Sequence, residues 1–186
     1  MMNDDVKVFV DERLKKIYNS LSANWQKGFR INIEKISAKG LSDSGMFQNI
    51  LTNYAIKLVS DVNEEVKNIL NECQEKFDFI MSSENIEEYI NRSINNSNYH
   101  LELMQSDLID YFDKKKIPLV ESCKLQLRNA KINNKSTLEE IKKEMILVNK
   151  NKNNKMKDKL NKNDIINYGL TILGIIVSIV LAIIFA

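Results

Sequence analysis

Apolar residues recur at three- and four-residue intervals along almost the whole chain, which is the spacing of one face of an α-helix. Val6, Val10, Leu14, Ile17, Leu21, Trp25, Phe29 and Ile36 predict a first helix from about Asp4 to Ala38. Gly40 is placed to end it in the left-handed conformation. The run Gly40-Leu41-Ser42-Asp43-Ser44-Gly45 is the clearest turn in the chain, and its Ser and Asp side chains can cap the next helix. Phe47, Leu51, Tyr54, Leu58, Val62, Val66, Leu70, Cys73, Phe77 and Ile80 then carry a second helix to about Met81.

Ser82-Ser83 permits a new start, followed by Ile86, Ile90, Ile94, Leu101, Met104, Leu108 and Tyr111. The polar stretch Asn91 to His100 leaves room for a break in this third helix. Lys114-Lys115-Lys116 complements the negative end of its dipole, and Ile117-Pro118 stops it. Pro118 fits the first turn of a fourth helix through Val120, Cys123, Leu127, Ala130, Leu138, Ile141, Met145 and Val148. Ser136-Thr137-Leu138-Glu139 matches a capping box, so a break near Asn133-Asn134 competes with one continuous helix, which the unbroken phase favours.

No run reads as a strand, and the fold class is all-α. Four long helices of similar length joined by short turns predict an elongated antiparallel bundle, because neighbours must match in length to cover one another's stripes. In up-down-up-down order, the turns at Gly40–Gly45 and Lys114–Pro118 share one end. That end lies about 50 Å from the other at roughly 1.5 Å per residue and is the expected contact surface for a soluble partner.

From Ile165 to Ala186 no residue is charged. As a helix this segment reaches about 33 Å, enough for a hydrocarbon core of about 30 Å. Only Thr171 and Ser178 are polar between Leu170 and Ala186, and both hydroxyls can bond back to the preceding turn. The expectation is therefore three segments: a bundle over 1–148, a Lys/Asn-rich juxtamembrane stretch over 149–164, and a transmembrane helix over 165–186. Lys150, Lys152, Lys155, Lys157, Lys159 and Lys162 precede the span and keep the amino-terminal part in the cytosol. The apolar run ends with the chain, as in a tail anchor of the cell membrane, and Asn167 and Tyr168 would stand near the headgroups.

Charge is divided in a way that fits this layout. Residues 1–130 carry a net −3 and residues 131–186 a net +5, giving +2 in all. Lys155, Lys157, Lys159 and Lys162 are the expected contacts to anionic lipid headgroups. The same tract has no aromatic residues for base stacking, which disfavours nucleic acid. Within the span, Gly174, Ser178, Ala182 and Ala186 recur every fourth residue, and small side chains at that spacing let two helices approach closely.

Five Gly and one Pro leave too few turn formers for a sandwich, a barrel or a doubly wound sheet. The 24 Asn, 23 Lys and 24 Ile point to an AT-rich, bacterial genome. The acidic start Met1-Met2-Asn3-Asp4-Asp5 does not read as a secretory signal, and Cys73 and Cys123, without a CxxC, read as reduced core thiols.

Catalytic constellations are missing from the sequence. His100 is the only histidine, with Ser97 where a di-metal bundle would need Glu, and it reads as exposed. The turn Gly40–Gly45 has Walker-like spacing, but Met46 and Phe47 occupy the Lys and Ser/Thr positions. Glu64-Glu65, Glu87-Glu88 and Glu139-Glu140 diverge by about 100° on a helix and read as solvated. No cofactor, metal or catalytic residue is expected, and the chain reads as a non-enzyme.

The leading expectation is a membrane-anchored helical interaction protein, presenting a cytosolic bundle to a protein partner or to a second copy. The alternative is a membrane-active effector of the toxin, lysis or phage-defence type, whose spans assemble through Gly174, Ser178 and Ala182. A small-molecule sensor with a pocket inside the bundle is a third expectation.

Overall fold

The structure is a computed structural model. It describes the backbone of residues 4–41 and 44–184, and the side chains of 4–41, 44–154, 170 and 171. Among the described residues there are four helices and no strand: α1 (Asp4–Ser37), α2 (Gly45–Lys76), α3 (Ser83–Lys114) and α4 (Glu121–Ile184). The chain divides into two compact units, Met1–Ile146 and Leu147–Ala186. The first is a helical bundle around one core.

Each helix stops for a local reason. After α1, Gly40 takes φ +71°, and the Leu41 N–H returns to the Ile36 carbonyl at 3.2 Å. Ser44 caps α2 by accepting from the Phe47 N–H at 3.3 Å, and Ser82 caps α3 by accepting from the Asn85 N–H at 3.2 Å. Ser42 and Asp43 lie outside the described residues.

Three expectations need correction. α2 ends at Lys76 rather than near Met81, because Asp78 adopts φ 46° and the Phe79 N–H folds back to the Gln74 carbonyl at 3.2 Å. Phe77, Ile80 and Met81 therefore belong to the connection, where Met81 is still fully buried as a plug. Pro118 is not in the first turn of α4: Lys116 takes φ 61° and the helix begins only at Glu121. Val148, expected on the α4 stripe, is exposed.

α3 and α4 are both unbroken at their polar stretches. In α3, Asn95 and Asn96 face solvent while Ser93, Ile94 and Ser97 hold the inward positions, so the phase survives with serines beside a single isoleucine. In α4, Asn134 and Leu138 continue the buried face, and Ser136 and Thr137 are exposed rather than capping.

Polar contacts along the bundle reveal its layout. Asn49 and Lys67 of α2 reach α4, whereas Tyr54 and Glu72, each five positions later, reach α1. Glu87 and Glu102 of α3 likewise reach α4, whereas Arg92 and Asp107, again five positions later, reach α1. Five residues turn a helix through about 140°, so α1 and α4 lie on opposite flanks of the α2–α3 pair. Exposed ion pairs of this kind contribute about 0–1 kcal/mol each, so they mark register more than they stabilise. The core supplies the energy: Leu14, Phe47, Leu51, Leu70, Ile86, Tyr89, Leu101 and Phe112 are all essentially inaccessible.

Candidate functional site

The end of the bundle that carries the 38–44 and 115–120 connections is built on an aromatic floor. Trp25 stacks on Phe29 with ring centroids 4.9 Å apart and on Tyr54 at 6.0 Å. Phe29 and Phe47 both meet the Tyr111 ring edge-on, at 5.7 and 6.1 Å, and Phe47 meets Phe112 at 5.6 Å. Edge-to-face pairs add about 0.5–1.5 kcal/mol beyond their buried area. Leu41 and Met46, in the 38–41 and 44–47 turns at this end, are exposed, Met46 at 64 %. Lys39, Lys114 and Lys116 are exposed at the same end, and Lys115 lies over the Tyr111 ring at 5.3 Å. The result is a small apolar surface whose lysines outnumber the exposed Asp110 and Asp113 among them, above a packed aromatic cluster.

Two buried glutamines of α2 hold the connections beside its ends. Gln48 donates to the Pro118 carbonyl at 3.2 Å and accepts from the Val120 N–H at 2.6 Å. Gln74 accepts from the Met81 N–H at 3.0 Å. Sequence reasoning passed over both, although each sits at a position in phase with the apolar stripe, which is the available signal for a buried polar clamp.

The α1–α3 contact is lined with polar groups. Asp11 accepts from Arg92 at 2.7 Å, and the Trp25 indole N–H donates to Asp107 at 2.7 Å. The buried Tyr18 hydroxyl donates to the Ser93 carbonyl at 3.0 Å and lies 3.2 Å from the Ser97 hydroxyl. Burial raises the Tyr18 pKa, with the Ser97 and Ser93 contacts opposing. His100 is not exposed as expected: it stacks on Tyr18 at 5.6 Å and its Nδ1 is 3.3 Å from the Ser22 hydroxyl. Its burial lowers the imidazole pKa. A serine and a histidine thus meet, but the contact is long, and no carboxylate among the described residues bonds to the ring to orient it as nucleophilic catalysis requires.

Cys73 and Cys123 are free and buried. Burial, and then Glu72, push the Cys73 thiol up to about 11. The Cys123 thiol donates to Asn49 Oδ1 at 3.3 Å. No group of three or more His, Cys, Asp or Glu able to hold a metal ion occurs among the described residues.

Grooves run along α2 among the described residues. One faces α1, has a volume of about 320 Å³ and is lined by Ile17, Leu21, Asn24, Leu58, Asp61 and Glu65. Another faces α4 and has a volume of about 170 Å³.

The residues expected to pack spans together, Gly174, Ser178, Ala182 and Ala186, lie outside the described side chains, as do the headgroup lysines Lys155, Lys157, Lys159 and Lys162. So do Asn167 and Tyr168. Among the described residues no helix is long and apolar enough to cross a membrane. Compared with family models, with curated proteins and with solved structures, the chain matches none.

Proposed function

We propose that this chain is a membrane-anchored helical interaction protein, without enzymatic activity, that displays its bundle to a protein partner or to a second copy. The observation that carries this reading is in the sequence: 22 consecutive uncharged residues, Ile165 to Ala186, follow a stretch holding six lysines between 150 and 162. A helix of that length and composition is most stable in hydrocarbon, and lysines on one side keep that side cytosolic. The bundle supports the display role, because its core is closed by its own four helices while Leu41 and Met46 stay uncovered at one end.

Fractionation of cells making the full chain tests the anchor. The protein is expected in the membrane pellet, resistant to high salt and alkaline carbonate and released by detergent. Replacing Ile175 and Ile176 by Lys adds about 2.5–3.5 kcal/mol of insertion cost per residue, and should move the protein to the supernatant. Recovery of the unaltered chain in the supernatant overturns the anchor. Crosslinking the membrane-bound protein then tests the display surface, with the Leu41→Glu and Met46→Glu pair expected to abolish adducts that the unaltered chain forms.

A further inference from the structure

The α2–α4 contact carries several buried polar side-chain atoms that its own partners do not satisfy, whereas Ser93 Oγ is a lone one beside the α1–α3 contact. Asn63 on α2 and Asn134 on α4 are each only 4 % exposed. The Oδ1 atom of each is fully buried and has no hydrogen-bond partner. Asn134 uses its Nδ2 to donate to Asn98 on α3 at 3.4 Å, which leaves the oxygen as its unmet group. Thr52 Oγ1 and Gln126 Oε1, further along the same two helices, are buried and unpartnered as well. An unmet buried acceptor costs about 1–3 kcal/mol, so several in one contact need a physical account.

Asn63 and Asn134 both line the cavity of about 170 Å³ that separates α2 from α4. Its wall is divided in kind. Ile56, Val59 and Ala130 supply an apolar side, the two buried amides supply a polar one, and the exposed Ser60, Asn133 and Thr137 form its rim. Water against the apolar side makes fewer than the about three hydrogen bonds of a well-held buried water, so a guest with a hydrocarbon body displaces it at little cost. A dry cavity of about 150 Å³ holds a molecule the size of benzene, so this one accommodates about six to eight heavy atoms. Asparagine χ2 is a soft, broad torsion, which lets both amides turn their oxygens toward a guest.

We infer that the α2–α4 cavity is a binding site for a compact neutral molecule with a hydrocarbon body and an N–H or O–H donor head. The body packs on Ile56, Val59 and Ala130, and the head donates to Asn63 Oδ1 and Asn134 Oδ1. Nothing in the cavity carries a formal charge to pair with an ion, so the guest is uncharged. This site is independent of membrane anchoring.

The test uses the full chain in detergent with two probes of one shape. Isobutyramide offers an NH₂ head, and 3-methyl-2-butanone puts a methyl group in its place. Isobutyramide is expected to shift the side-chain amide resonances of Asn63 and Asn134 saturably and to raise the melting temperature, with the ketone binding roughly tenfold or more weakly. Ala130→Leu, which fills the space, and Asn63→Leu, which removes one acceptor, should each abolish the response while circular dichroism stays helical. Absence of a saturable response to isobutyramide on the unaltered chain overturns the inference, as does equal binding of the ketone or a response that survives Ala130→Leu.

Discussion

Gly28 lies directly beneath Tyr54, and the tyrosine hydroxyl crosses it to donate to the Asn24 carbonyl at 2.8 Å. A methyl group at position 28 would overlap both the hydroxyl and the ring. Glycine in mid-helix ordinarily costs about 1 kcal/mol against alanine, so here the close approach of α2 outweighs helix propensity. Gly28→Ala is expected to destabilise the bundle by about 1–3 kcal/mol in denaturant unfolding. In a Tyr54→Val background the same change should become stabilising, by up to about 1 kcal/mol. A destabilisation of equal size in both backgrounds would contradict the contact.

Gln48 ties the α3–α4 connection at two backbone points, the Pro118 carbonyl and the Val120 N–H. Gln48→Leu keeps the volume and removes both bonds. We expect a loss of roughly 2–3 kcal/mol, with amide exchange at Val120 accelerated ahead of exchange in the α2 core.

His100 makes stability depend on pH. Its folded pKa is lowered by burial, so the unfolded chain takes up a proton that the folded chain resists. The contribution is complete above the ordinary imidazole value of about 6.5 and is lost as pH falls from there through the folded pKa. His100→Gln should flatten the fall in unfolding free energy as pH drops below about 6.5, without lowering the plateau near pH 8 by more than about 1 kcal/mol. A slope that persists unchanged in the variant assigns the effect to other groups.

Cys73, with its thiol pushed up to about 11 and no exposed surface, holds almost no thiolate at neutral pH. Alkylation followed by mass spectrometry should therefore find Cys73 unmodified in the native protein and modified promptly in denaturant. Rapid native modification would show that α2 opens locally at its carboxyl-terminal turns.

Tyr18 spends its hydroxyl on the Ser93 carbonyl and the Ser97 side chain of α3. Tyr18→Phe is expected to cost about 1–2 kcal/mol in denaturant unfolding. Combining it with Ser97→Ala should cost less than the two changes summed, since they share one contact.

Helix positions were legible because the punctuation is local. Gly40, Ser44 and Ser82 act within one turn of where they stand, and the apolar phase around them is unbroken. The end of α2 was not legible, since Phe77 and Ile80 keep the helical phase while a left-handed Asp78 ends the helix. Nor were Gln48, Gln74, Tyr18 and His100 as partners, because their bonds join residues that are distant in sequence or cross a turn, and spacing alone is silent on those. The α2–α4 cavity was not legible, for its buried amides, Asn63 and Asn134, stand among 24 asparagines and come from two helices whose pairing spacing alone does not give.

The placement of α1 and α4 on opposite flanks of the α2–α3 pair has a consequence for biosynthesis. A ribosome delivers α1, α2 and α3 first, and these three already touch one another in every pairwise combination. A nascent three-helix intermediate can therefore form while the far flank of α2 remains wet. The last helix then docks onto a hydrated, amide-bearing strip, which is less prone to indiscriminate collapse than a bare hydrocarbon one.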